Sequence, residues 1–454
     1  MRRGLARSSE SERDHALSFH WKPVDLGVLD PLGLPPARNM LHAHARASVV
    51  TEAYIIGRTQ PDRSISYSRR RDFYTDQQRY RGTAYTYNTV LSAVDELADF
   101  GLLENVVAHP GSRGRQSTFR ATPELVDAFD RPISAHYDPH ELIQLKDADG
   151  RLVQYRDTAE TERMRRELIV LNDALAAVDV TLKAPGLVQD EYAIRCGHHV
   201  LYLAHRAYYR VFNGSFQRGG RLYGPWWQSA PSKVRPYLEI GGEPTVELDY
   251  PAHHLRMAYA MVHTDPPIEP YTLAGWERQL VKHAVLIMFN ARNYNAAIGA
   301  IADEIGVASA RKRAVELIQQ IKEKHAPVAQ LFHSDLGAKL QRQDADMAAA
   351  IVGRLLKKGV ITLSIHDSFL APVRYGGVLY EEMAAAWWRF VVSVDPCLRS
   401  VGYQNSISQM ERGGCCGVMV LPLLVLLLPP SAQLELFDDP FASVTVPICR
   451  PQQL

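Results

Sequence analysis

Little in this chain of 454 residues announces a compartment or a cofactor. Its five cysteines, Cys196, Cys397, Cys415, Cys416 and Cys449, form no CxxC pair and no zinc spacing, which argues against a disulfide framework and for a reducing compartment. A cytoplasmic location is expected. Charge of neither sign dominates: the net charge is +1, so any nucleic-acid surface must come from a local concentration of arginine. A membrane-spanning helix needs about 20 apolar residues, and the one strongly apolar stretch, Val418 to Pro430, is short and interrupted by Pro422. No membrane partner is expected. Repeats at solenoid periods are missing, and the charged N-terminus is not followed by the apolar region of a secretory signal.

What is present is a hydrophobic fraction of 46%, enough for the cores of two or three domains. Changes of composition and periodicity divide the chain into a disordered leader at 1–40, a small domain at 41–130, a helical connector at 131–200, a larger domain at 201–410 and a C-terminal tail at 411–454. In the connector, Met164, Leu168, Leu171 and Leu175 recur on one helical face.

Within 41–130, Val90, Leu91, Val94, Leu97 and Ala98 share one face of a helix that Gly101 stops. The following "LLENVVAHPGSRGRQSTFRAT" alternates apolar and polar residues around a Pro/Gly/Ser turn, as a β-hairpin does. Arg113 and Arg115 sit in that turn, and Arg69, Arg70 and Arg71, with Arg79 and Arg81, precede the helix among tyrosines. Helix, stop and basic-tipped hairpin resemble a winged helix-turn-helix domain, a resemblance that implies duplex DNA as partner and these arginines as phosphate contacts. The alternative is a small helical domain with a solvated basic face.

The larger domain carries the chemistry. In "VELDYPAHHLR", Asp249 closes a β-prone run where a helix begins. In "ITLSIHDSFLAPV", two short β-prone runs flank His366, Asp367 and Ser368, which reads as a tight hairpin with Asp367 at its tip. Two carboxylates on adjacent strands can hold two Mg²⁺ ions about 4 Å apart, the clamp of in-line phosphoryl displacement. Between them, "RQLVK" puts Arg278 and Lys282 one helical turn apart, facing one phosphate chain.

Carboxylate, cationic helix and hairpin carboxylate, in that order, resemble the palm motifs of the Pol I type (family A) DNA polymerases and the phage single-subunit RNA polymerases. "DYPAHHLR" overlays motif A, with His254 where the DNA polymerases have glutamate. "RQLVK" matches motif B, but Asn290 and Ala291 replace its Tyr-Gly, and "IHDSF" matches motif C in a form closer to the RNA polymerases. Two weaker matches are "QRGGRLYG", which nominates Arg221 as a template-backbone contact, and the segment holding Gln341 and Asp346 before motif C. The resemblance implies an α+β right-hand polymerase palm with fingers abbreviated by the short Asp249–Asp367 separation, preceded by the winged-helix domain. It implies Asp249 and Asp367 as Mg²⁺ ligands, Arg278 and Lys282 on the triphosphate, His366 at the primer end, and Tyr250, His254 and Asn290 around the nucleotide.

The expected function is a template-directed nucleotidyltransferase acting on a DNA template and nucleoside triphosphates, of a kind that replicates a plasmid, phage or integrated element. Competing readings are a DNA-binding initiator or regulator with a degenerate palm, an RNA polymerase or primase, and a metal-dependent nuclease. Sugar preference, primer requirement and oligomeric state stay open.

Overall fold

The computed structural model describes residues 14–109 and 116–392. Its first apolar core begins inside the segment expected to be a disordered leader. Leu17, Phe19 and Trp21 are at most 2% exposed, with the chain kinked between them at Phe19, whose φ is 58°. They pack beside the long helix Met40–Thr59. The fully buried Glu52 of that helix accepts hydrogen bonds from the backbone N–H groups of Ser18 and Phe19 and approaches His15 Nε2 at 2.9 Å. Residues 14–40 are therefore part of the domain that follows, and the leader expectation fails there.

The same core receives helix Tyr87–Asp99, whose Val90, Leu91, Val94 and Leu97 are buried. Thr86 and Thr89 cap its start reciprocally, and Gly101 (φ 75°) lets the chain reverse after it. Strands Leu103–Val106 and Ser117–Ala121 form an antiparallel pair. A four-stranded sheet results, ordered His15–Ala16, Ile65–Tyr67, Ser117–Ala121, Leu103–Val106, with its first pair parallel. The hairpin tip, with Arg113 and Arg115, lies outside the described residues.

The stretch expected to be a helical connector does contain helix Ala159–Ala176, with Met164, Leu168, Leu171 and Leu175 buried. It is not only helical. Ile143–Lys146 pairs in parallel with Tyr209–Asn213, Val180–Leu182 forms the edge of the next sheet, and Tyr192 and Ala193 join the first core. Short strands of three or four residues carry too little periodicity to stand out beside an 18-residue helix.

The sheet that follows is five-stranded and antiparallel, ordered Leu363–Ile365, Ser368–Pro372, Glu243–Asp249, Leu238–Ile240, Val180–Leu182. Its apolar side chains share a core with helices Gly337–Lys357 and Gly376–Trp387. A separate core joins helices His253–Ala260, Arg278–Asn290, Tyr294–Ile305 and Ala310–Lys324. No helix among the described residues is long and apolar enough to cross a membrane. The apolar tail lies outside the described residues.

Candidate active site

Strand register brings the two aspartates together. Asp249 ends its strand opposite Ser368, and Ser368 also pairs with Ile365, which leaves His366 and Asp367 as a two-residue turn. His366 takes a φ of 60° to close it. Both carboxylates therefore stand at one end of the sheet. Burial and the charge of Asp367 push the Asp249 pKa up to about 7, and its Oδ1 is buried without a hydrogen-bond partner. A carboxylate crowded by a like charge and missing a partner is poorly solvated. A divalent cation between the two would supply the missing charge and ligand.

The donor set is oxygen-only, which suits Mg²⁺ with substrate phosphates and water completing the sphere. Among the described residues no group of three or more His, Cys, Asp or Glu gathers as a metal site, and the stretch Cys196, His198, His199 forms none. One step back along the strand, buried Glu247 is held by Arg235 at 3.0 Å and by the Ser368 hydroxyl at 2.6 Å.

A buried polar network joins Arg221, His253, His254 and Asp344. Asp344, 2% exposed, accepts hydrogen bonds from Arg221 Nε at 3.0 Å and Nη2 at 2.9 Å. Its other oxygen is 3.1 Å from His253 Nε2, and His254 Nε2 is 3.2 Å from Arg221 Nη2. Burial alone would raise the Asp344 pKa, yet His253, His254 and Arg221 together hold it well below the usual carboxylate range. The same network reaches the hairpin: burial and then the Arg221 charge lower the His366 pKa, against Asp367 and Asp344, which raise it.

Arg221 owes its direction to a bulge. Val211 pairs with Arg221 and Phe212 with Gly219, so Gly220 is the extra residue. Its φ is 82°, and a Cβ there would come 2.6 Å from the Phe212 ring. The double glycine of "QRGGRLYG" is thus required locally. Arg221 is engaged with Asp344 by two of its three nitrogens, which leaves little of it for the template backbone. Asp346, aligned by the weaker match, pairs instead with Arg210 at 2.7 Å and with Arg342.

Arg278 and Lys282 are exposed on the first turns of helix Arg278–Asn290. Burial pushes the Tyr271 pKa up to about 12, while Arg278 and Arg256 pull it down and Asp367 raises it, so this hydroxyl lies in the field of all three charges. The Arg278 guanidinium also lies 5.7 Å from the Tyr271 ring centroid. Asn290, at the far end of the same helix, donates its amide to Leu286 O at 2.8 Å and abuts Gly337, where a Cβ would come 2.2 Å from its Oδ1.

Two sequence expectations are corrected. Tyr250 is 3% exposed, its hydroxyl donates to Met383 O at 2.6 Å, and its ring stacks on His253, so its side chain belongs to the core rather than to a nucleotide pocket. Arg69 makes a bidentate pair with Asp95 at 2.6 and 2.7 Å, and Arg70 pairs with Asp72. Arg79 pairs with Glu141 and Asp157. Arg69 and Arg79 are therefore neutralised by acids distant in sequence and Arg70 by one two residues away, and of Arg69, Arg70 and Arg71 only Arg71, lying over the Tyr87 ring, has no acidic partner among the described residues. A cavity of about 560 Å³ opens by Ser215, Arg218, Lys339 and Arg342 and includes neither aspartate.

No protein-family model and no curated protein matches the chain. Among solved structures, it is similar to the polymerase domain of Pol1 from M. smegmatis, solved in complex with DNA primer-template and dNTP, at 12% identity and a TM-score of 0.30, over 51% of this chain and 48% of that one. The chain thus spans about half of that domain, and a likeness at this level carries no argument about the site.

Proposed function

We propose that this chain is a template-directed nucleotidyltransferase, and the observation that carries the reading is the pairing of Asp249 with Asp367. Register puts two carboxylates at one sheet end, and Asp249 keeps a buried oxygen without a partner. Mg²⁺, when bound there, activates the attacking hydroxyl and stabilises the leaving phosphate. Asp249 and Asp367 hold the cation. Arg278 and Lys282 take the triphosphate from the helix side, His366 lines the hairpin where a primer end would lie, and His254 with Asn290 borders the nucleotide. Catalysis by such a site is mostly positioning and electrostatics.

In this reading the fold is an α+β palm with short fingers behind a winged-helix domain that binds DNA. The order of helix Met40–Thr59, strand Ile65–Tyr67, helices Gln78–Arg81 and Tyr87–Asp99, and a two-stranded hairpin supports the winged helix. The DNA contacts of that domain then fall to Arg71, Arg113 and Arg115 more than to Arg69 or Arg70. Partners are a DNA template and nucleoside triphosphates.

A second reading, an initiator with an inactive palm, is favoured by Asn290, whose side chain folds back on its own helix where the resembled enzymes carry tyrosine. Extension of a labelled primer on a DNA template with Mg²⁺ and each nucleotide class separates the two. Incorporation supports the enzyme, whereas duplex binding without incorporation supports the initiator, and degradation of the labelled strand without nucleotides supports a nuclease.

A further inference from the structure

We propose that Glu247 is a positioning residue that keeps the buried oxygen of Asp249 open to a cation by capturing the Ser368 hydroxyl, an inference that rests on the nucleotidyltransferase reading and its two-aspartate cation site. Glu247 and Asp249 are two apart on strand Glu243–Asp249 and therefore project to one face of the sheet. Ser368 pairs directly with Asp249, so its side chain stands on that face too, with Cβ atoms about 4.5–5.5 Å apart as in any such pair. A turn about the Ser368 Cα–Cβ bond is enough to choose between the two carboxylates.

The choice falls on Glu247. Ser368 Oγ donates to Glu247 Oε1 at 2.6 Å, while Asp249 Oδ1 is buried without a partner. A serine carries one O–H proton and can satisfy only one of them. Glu247 is 5% exposed and is itself anchored, because Arg235 Nη1 donates to the same Oε1 at 3.0 Å and Arg235 Nε donates to Ala230 O at 3.1 Å. Stability alone does not favour this arrangement: Glu247 Oε2 is also buried without a partner, and a buried carboxylate left half-bonded is costly. Glu247 is not a ligand as it stands, since no group of three or more His, Cys, Asp or Glu gathers as a metal site among the described residues. Its effect on the cation passes through Ser368. Without Glu247 the hydroxyl has the Ile365 carbonyl at 3.3 Å and the Asp249 carboxylate opposite as acceptors. The ionised carboxylate is the stronger of the two, and a hydroxyl bound there competes with the cation for the oxygen.

The test is the dissociation constant of Mn²⁺, a paramagnetic stand-in for Mg²⁺, measured by electron paramagnetic resonance on the full chain without nucleotide or DNA, at a pH where Asp249 is ionised. The cycle comprises wild type, Ser368→Ala, Glu247→Leu and the double variant. Glu247→Leu removes a negative charge as well as the acceptor, but the double variant has the same charge, so the difference between those two isolates the hydroxyl. Removing the hydroxyl is expected to tighten Mn²⁺ binding about ten-fold where Glu247 is absent and by less than about three-fold where it is present. A hydroxyl that only supports the hairpin gives the opposite sign, with Ser368→Ala weakening binding in both backgrounds, and that result overturns the proposal. Equal effects in the two backgrounds overturn it as well, including no effect in either, which would mean that the freed hydroxyl turns to Ile365. If Glu247→Leu does not fold, Glu247→Gln takes its place with a smaller gain of the same sign expected, because a neutral amide accepts more weakly than a carboxylate, and absence of that gain overturns the proposal. A wild type that binds no Mn²⁺ removes the cation site and the proposal with it, whereas a wild type that binds Mn²⁺ with no coupling between Glu247 and Ser368 removes the proposal alone.

Discussion

Asp249 stands opposite Ser368 in the last rung of its strand pair, one residue from Asp367, and burial together with the Asp367 charge pushes its pKa up to about 7. Asp249 therefore shares its carboxylate between proton and cation near neutral pH.

Asp249→Ala and Asp367→Ala should each lower nucleotide incorporation by at least about a hundred-fold, with duplex binding by the N-terminal domain retained. Gel-shift and primer-extension measurements on the same preparations check both halves, and synthesis surviving in either variant would remove the metal assignment.

The raised pKa of Asp249 has a signed consequence for stability. The folded protein keeps a proton that the unfolded chain, with an ordinary value of 3.8, releases. Stability without divalent cation should therefore fall as pH rises from about 4 to about 7, by roughly 1–3 kcal/mol from this group. Asp249→Asn should flatten that slope in urea titrations. Added Mg²⁺ should restore stability mainly above pH 7, where the carboxylate is free to bind it, and should have no such effect on Asp249→Asn.

Glu52 behaves in the opposite sense. Burial would raise its pKa, but His15 and the Ser18 hydrogen bonds outweigh that and lower it from the ordinary 4.5. Its contribution is complete above that value and is lost as pH falls through the lower folded value. Glu52→Ala should cost about 2–4 kcal/mol, because the Ser18 and Phe19 N–H groups lose their acceptor. A denaturation midpoint unchanged from wild type would show that the 14–23 segment is not anchored this way.

Arg69 and Arg71 should part company. Arg69→Ala breaks a bidentate pair with Asp95 and should lower stability by about 1 kcal/mol with little effect on the salt dependence of DNA binding. Arg71→Ala should leave stability nearly unchanged and reduce the salt slope by about one unit, as Arg113→Ala and Arg115→Ala each should. Equal slopes in wild type and Arg71→Ala would return that arginine to a solvated face.

The local elements were legible in the sequence because their signals are local. Alternation and turn residues marked the Asp367 hairpin, a 3.6-residue period marked the Tyr87–Asp99 helix, and a glycine marked its end. The core segment around Leu17, Phe19 and Trp21 is not legible in this way, since charged residues precede it and the chain leaves the extended conformation at Phe19. Asp344 had a signal too: one carboxylate interrupting the apolar face of an otherwise amphipathic helix. What that carboxylate bonds to was not readable there.

Sequence by itself determined the order and type of the elements around the two aspartates, since hydrogen bonding and side-chain period act within a few residues. Only the tertiary structure decided the electrostatics. Arg69 meets Asp95, Arg221 meets Asp344 and Tyr250 turns toward Met383 because sheet register and helix packing join segments tens of residues apart. A charge listed along a chain has no partner until the fold supplies one, and a partner is what separates a structural arginine from one free to meet phosphate.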